Sequence, residues 1–166
     1  SGAACESLSH GRVDCVLLAL PYACGDIESE ILFEDRLFLA YPGNEQPPEI
    51  ATADTIDEKR LLLLEDGHCL KDHVLSACNR PELRANATML GTSLHTLVQM
   101  VDNGLGVTML PEMAIEAEIL ANTSITTRAL VADHASRSIA LAWRRASPRG
   151  KEFELLAKVL REVTQA

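Results

Sequence analysis

The sequence predicts an α/β fold, on three observations. Short apolar runs of strand length alternate along the chain with stretches of helical period. Two of these runs, residues 13–20 and 106–110, are almost continuously apolar and bounded by Gly and Pro, the pattern of a strand buried on both faces. With 47% hydrophobic residues in 166, the chain can fill one or two small cores, which excludes wholesale disorder, and it is too short for a large multidomain enzyme. Strands alternating with helices in this way imply largely parallel sheets.

Residues 3–11 read as a helix ending at Gly11, followed by the strand at 13–20, which Pro21 stops. Residues 31–41 alternate imperfectly and read as one or two short strands. Residues 42–49 (PGNEQPPE) form a turn-rich loop, the first candidate crossover. A short helix is expected at 55–59 and an apolar strand at 60–64. A turn at Glu65, Asp66, Gly67 and His68 leads into a helix from about Cys69 to Cys78. Residues 85–89 read as a strand. Thr92 and Ser93 can cap the next helix, where Leu94, Leu97, Val98 and Val101 fall at i, i+3, i+4 and i+7. Gly104 closes that helix, and Pro111 stops the strand at 106–110. Residues 114–120 read as helical, and 126–131 and 138–143 as strands. Ser147 and Pro148 open a last helix whose buried stripe is expected to be Phe153, Leu156, Val159, Leu160 and Val163. The segments around Gly11 to Pro21 and Gly104 to Pro111 echo each other as helix, Gly, strand and Leu-Pro. Two similar lobes would produce this echo, and so would chance.

Charge narrows the function. Fifteen Lys and Arg stand against 24 Asp and Glu, a net charge of −9, so the chain lacks the basic face that non-specific nucleic-acid binding needs. The longest apolar stretch, residues 15–23, is under half a bilayer span and contains a proline, and no secretion signal opens the chain. Five cysteines (Cys5, Cys15, Cys24, Cys69 and Cys78) are too few, and odd in number, for a secreted disulfide framework. The expectation is a cytoplasmic protein with thiols mostly reduced at rest.

The informative segment runs from Glu65 to Cys78. Cys69 falls in the first turn of the expected helix, where free N–H groups and the helix dipole favour a thiolate, the nucleophile that cleaves a peroxide O–O bond. His68 adds a neighbouring donor. Cys69 and Cys78 are nine residues apart. On one continuous helix that is about 13.5 Å of rise and about half a turn out of phase, whereas a disulfide needs Cα atoms within about 7 Å. A bond between them therefore requires the helix to unwind, as in a switch. Two other readings stay open here: two unrelated cysteines, and a metal site built on Cys69 and His73 at i, i+4 with His68 and Cys78 nearby. The second lacks a CxxC knuckle and leaves Cys78 on the wrong face.

At these residues the sequence resembles the regulatory domain of the OxyR group, the peroxide-sensing members of the LysR-type transcriptional regulators. The resemblance is strongest from Leu64 to Asp72 (LEDGHCLKD), with Cys78 nine residues on. It continues through Thr92 to Leu97, Met100 and Val101 and Gly104 to Pro111, and covers Val13 to Leu20 and Arg137 to Ile139, so it spans nearly the whole chain. It implies two Rossmann-like lobes of the periplasmic-binding-protein type, the first lobe N-terminally truncated. Residues 1–36 and 136–166 would form subdomain I, and 37–135 subdomain II with the redox cysteines. It also implies roles: Cys69 as the peroxidatic cysteine that becomes a sulfenic acid, Cys78 as the resolving cysteine, and His68, Asp72 and Arg137 around the reactive sulfur. The family's peroxide-binding threonines fall in or near the part not matched, the nearest position being Ser1.

The implied function is peroxide sensing by a non-enzyme with no cofactor and no resident metal. The implied partners are hydrogen peroxide, a homodimer or tetramer, and DNA through a helix-turn-helix domain absent from this chain. RNA polymerase in the full-length protein and thioredoxin- or glutaredoxin-type reductants complete the set, with no membrane. Cys5 and Cys24 are extra to the pattern and are read as bystanders, with an alternative resolving partner among them left open. Two competing readings are a LysR-type domain that binds a small effector, its cysteines incidental, and a thiol peroxidase.

Overall fold

The computed structural model describes residues 1–65, 69–78 and 90–164. The chain divides into two compact units, one of Ser1–Glu34 with Arg137–Ala166 and one of Asp35–Ser136.

The first unit begins with α1 (Gly2–Ser9), which ends in a turn at Gly11, where φ is +70°. Strand β1 (Cys15–Leu20) follows and pairs antiparallel with β7 (Ser136–Arg144), Cys15 opposite Trp143 and Leu20 opposite Ser138. β7 in turn neighbours β2 (Ile27–Tyr41), where the Ser138 hydroxyl donates to Glu34 Oε1 at 2.5 Å. One apolar cluster joins Cys5 and Leu8 of α1 to Leu18, Cys24 and Ala142. A second joins Leu32, Leu141 and Trp143 to Phe153 and Ala157 of the last helix, Gly150–Thr164. That helix buries less than its period suggests. Phe153 and Ala157 are buried, but Leu156, Val159 and Val163 are exposed. A 3.6-residue stripe marks an apolar face without specifying what covers it.

The second unit takes up β2 from Asp35 onward. β2 pairs antiparallel with β5 (Thr108–Pro111) through Leu37 to Ala40, and with β6 (Thr126–Ala129) through Phe38 to Tyr41. β3 (Leu63–Leu64) and β4 (Leu90–Gly91) pair in parallel, and Leu61 bridges Val107 in parallel. The expected parallel character is thus corrected: among the named ladders, β1/β7, β2/β5 and β2/β6 run antiparallel and β3/β4 parallel. A continuous apolar run reports burial on both faces and carries no information on direction.

The two short strands expected over 31–41 are one strand of 15 residues. The helix expected at 55–59 is a pair of 3-10 turns, Ala53–Thr55 and Glu58–Arg60, and the strand expected at 85–89 lies outside the described residues. Helices α2 (Cys69–Ala77), α3 (Leu94–Asp102) and α4 (Glu112–Glu116) complete the unit, α5 being the Gly150–Thr164 helix of the first. Ser93 caps α3, its hydroxyl accepting from the Thr96 N–H at 3.2 Å. The core gathers Leu37, Leu39, Leu62, Leu97, Val101 and Met109, all nearly inaccessible. Gly106 lets the 106–107 backbone approach residue 60: a Cβ there would lie 2.2 Å from the Arg60 carbonyl oxygen, next to the Val107 N–H to Arg60 O bond of 2.9 Å.

Candidate functional site

The β3–β4 pair leads into α2. Leu63 and Leu64 are buried opposite Leu90 and Gly91, and the next N–H, of Glu65, donates to Gly91 O at 3.1 Å. Thr108 secures the adjoining strand by donating its hydroxyl to Leu62 O at 2.9 Å, fully inside the unit. Leu70, Val74, Leu75 and Ala77 of α2 are buried against this core, which also holds Leu61 to Leu64 and Leu97.

Cys69 is the first residue of α2 and is half-buried. Cys78 is the residue after its last and is buried at 3% exposure within the apolar core. The Cys78 N–H still donates to Val74 O at 3.1 Å, so the helical bond pattern runs to this residue. Nine helical steps separate the two Cα atoms by about 13.5 Å, beyond disulfide reach, and neither cysteine is in a disulfide. Burial follows the phase of the helix: Leu70, Val74 and Cys78 lie at i, i+4 and i+8 on the core side, while Cys69, Asp72 and Ser76 carry the half-buried and exposed positions. Cys69 sits where the helix dipole attracts negative charge, and Cys78 sits where apolar packing surrounds it.

Of the residues singled out from the sequence, Cys69, Asp72 and Cys78 come together on one helix and its end. His68 lies outside the described residues. Arg137 is buried on β7, as the first residue of the other unit's return segment. Three polar groups had no sequence signal. Lys71 is buried on α2 at 4% exposure, although its position in the sequence resembles that of any solvated lysine. His134 and Asp133 line a cavity of about 370 Å³ together with Ser76, Ala77 and Cys78, so the buried Cys78 borders open space. They lie more than fifty residues from Cys78 in the chain, and only the tertiary fold brings them there. Among the described residues no group of three or more His, Cys, Asp or Glu side chains could hold a metal ion.

Two cysteines read as bystanders are bonded to each other. Cys5 and Cys24 form a disulfide with Cα atoms 5.2 Å apart, which corrects that reading, while Cys15, Cys69 and Cys78 stay outside any disulfide. Nothing in a separation of 19 residues announces such a pair. No helix among the described residues is long and apolar enough to cross a membrane.

The LysR substrate binding domain family matches residues 1–165 of the chain. The chain is 36% identical over 160 residues to the HTH-type transcriptional regulator EstR of Acinetobacter baylyi, covering 96% of this chain and 53% of that protein. It is 37% identical over 164 residues to a probable hydrogen peroxide-inducible genes activator of Streptomyces viridosporus, covering 95% of this chain and 51% of that protein. The chain therefore spans about half the length of these relatives. Among solved structures, it superposes with a TM-score of 0.88 on the reduced form of the OxyR2 regulatory domain of Vibrio vulnificus. That match has 34% identity and covers 98% of this chain and 78% of that one.

Proposed function

Because the chain belongs to the LysR substrate-binding domain family, we propose that it is the peroxide-sensing regulatory domain of a LysR-type transcriptional activator. The observation that carries this reading is the placement of two cysteines, neither in a disulfide, at opposite ends and on opposite faces of α2. The names of the Streptomyces relative and the Vibrio structure support it.

The Cys69 thiolate attacks one oxygen of hydrogen peroxide. The O–O bond breaks, hydroxide leaves, and Cys69 becomes a sulfenic acid. The Cys78 sulfur then attacks the Cys69 sulfur. An S–S bond forms, the S–O bond breaks, and the hydroxyl leaves as water with the Cys78 proton. Since the two Cα atoms must come within about 7 Å, α2 unwinds and its buried stripe leaves the core. His68 and Arg137 favour the anionic forms of the reacting groups, and Asp72, on the same face as Cys69, orients its neighbours. The remodelled unit shifts the contacts of a homodimer or tetramer. The DNA-binding helix-turn-helix domain, borne by the full-length protein, is thereby reoriented and engages RNA polymerase. Reductants of the thioredoxin or glutaredoxin type reverse the bond in the cytoplasm. The cycle signals rather than turns over, because each round remodels a packed helix.

Mass spectrometry after stoichiometric peroxide tests this. A Cys69–Cys78 disulfide is expected, with Cys69→Ser abolishing the response. Unreacted Cys69, or Cys69 bonded to another cysteine, overturns it. A response to a small effector that survives Cys69→Ser would instead support a ligand-responsive domain with incidental cysteines.

A further inference from the structure

The first unit carries a pair of sulfurs that the α2 switch does not use. Cys5 lies in the middle of α1 and Cys24 just past β1, and their sulfurs are bonded. Both are buried, at 8% and 7% exposure, in one cluster with Leu8, Leu18 and Ala142. Helix α1 depends on such tethers. It has eight residues, no side-chain cap at Ser1 and no acidic residue in its first turn, and helices this short do not persist alone. Another anchor, beside the packing of Leu8, is Arg144, whose Nη1 donates to Leu8 O at 2.6 Å and to Val13 O at 2.8 Å. An exposed ion pair of Arg12 with Glu6 adds little in water.

We infer that Cys5 and Cys24 form a second dithiol–disulfide couple, independent of Cys69 and Cys78, through which a hydroperoxide fastens α1 to the end of β1. One thiolate attacks the peroxide. The O–O bond breaks, water leaves after proton uptake, and a sulfenic acid remains. The second sulfur displaces the sulfenic hydroxyl, which departs as water. Two thiols and one peroxide thus give one disulfide and two waters. Because the sulfurs are enclosed, both oxidation and reduction wait for α1 to open. The couple is slower than the half-buried Cys69 and, once closed, is protected from thiol reductants.

The test uses the chain with Cys69→Ser and Cys78→Ser, reduced, refolded and treated with stoichiometric hydrogen peroxide before alkylation and peptide mapping. The expected product is a Cys5–Cys24 crosslinked peptide short of two hydrogens. Loop closure should raise the Tm over the reduced form by about 6 to 12 °C, and Cys5→Ser should remove both effects. Reduction by dithiothreitol should be at least tenfold faster in denaturant than in buffer. Alkylation of both Cys5 and Cys24 after peroxide, Cys15 replacing either in the crosslink, equal Tm values, or equal reduction rates would each overturn the inference. Should the double variant not fold, the same mapping on the unsubstituted chain gives the crosslink result. Since the readout is taken without Cys69 and Cys78, failure of the α2 switch leaves this outcome unaffected.

Discussion

Oxidation by hydrogen peroxide should strip hydrogen-exchange protection from residues 70–77, and the size of the effect follows from the helix. Cys69 and Cys78 start about 13.5 Å apart and must close to within about 7 Å. The shortfall of about 6.5 Å cannot be met while the chain advances about 1.5 Å per residue in one direction, so α2 must break and the chain reverse within residues 69–78. Leu70, Val74 and Leu75 are buried at 6%, 2% and 3% exposure and cannot all stay seated. At about 1.5–3 kcal/mol for each buried side chain, unseating the three costs about 5–9 kcal/mol, whereas closing a ten-residue loop returns about 3 kcal/mol. The oxidised unit must therefore lose stability or repack, and in either case the amides of 70–77 exchange anew. The assay is hydrogen exchange read by mass spectrometry on reduced and peroxide-treated chain, with the disulfide verified on the same sample. A verified Cys69–Cys78 bond with unchanged protection across 70–77 would refute the reasoning.

Three further outcomes are expected. Leu97→Ala, at the centre of the second unit's core, should destabilise it by about 2–5 kcal/mol in urea titration, because truncation leaves a cavity among residues that cannot close over it. Gly106→Ala should cost at least about 2 kcal/mol, since the new Cβ meets the rigid Arg60 carbonyl, and exchange at the Val107 amide should quicken. Glu112 receives two hydrogen bonds from Arg36, at 2.9 and 2.5 Å, and these hold its carboxyl below the usual 4.5. A depressed carboxyl contributes stability above its unfolded pKa and loses it as pH falls through the folded value. Glu112→Gln should therefore flatten the acid limb of the stability profile just below pH 4.5 and leave its slope at neutral pH unchanged.

Features set by local chemistry were legible in the sequence. The start of α2 at Cys69, the Ser93 cap and the stop at Pro111 all depend on residues within a turn of one another. The opposed phases of Cys69 and Cys78 needed only helical arithmetic, and the burial of Cys78 with Val74 and Leu70 agrees with it. Features set by distant chain were not legible. Strand direction, the union of Cys5 with Cys24 and the approach of His134 to Cys78 all depend on segments brought together by folding. The stripe of α5 was read as buried through to Val163, but periodicity cannot report which of its residues find a partner, and Val159 and Val163 do not.

The division of the chain has a consequence for how this protein can be cut. The second unit is entered at Asp35 and left at Ser136, and near those points the Leu37 N–H donates to Ala135 O at 2.8 Å. Its beginning and end are therefore hydrogen-bonded neighbours, as in a cassette spliced into a host. Such a cassette can be excised, closed into a ring through a short linker, or grafted into another scaffold with little loop-closure entropy. The α2 cysteines would travel inside it, and the Cys5–Cys24 pair would stay with the host.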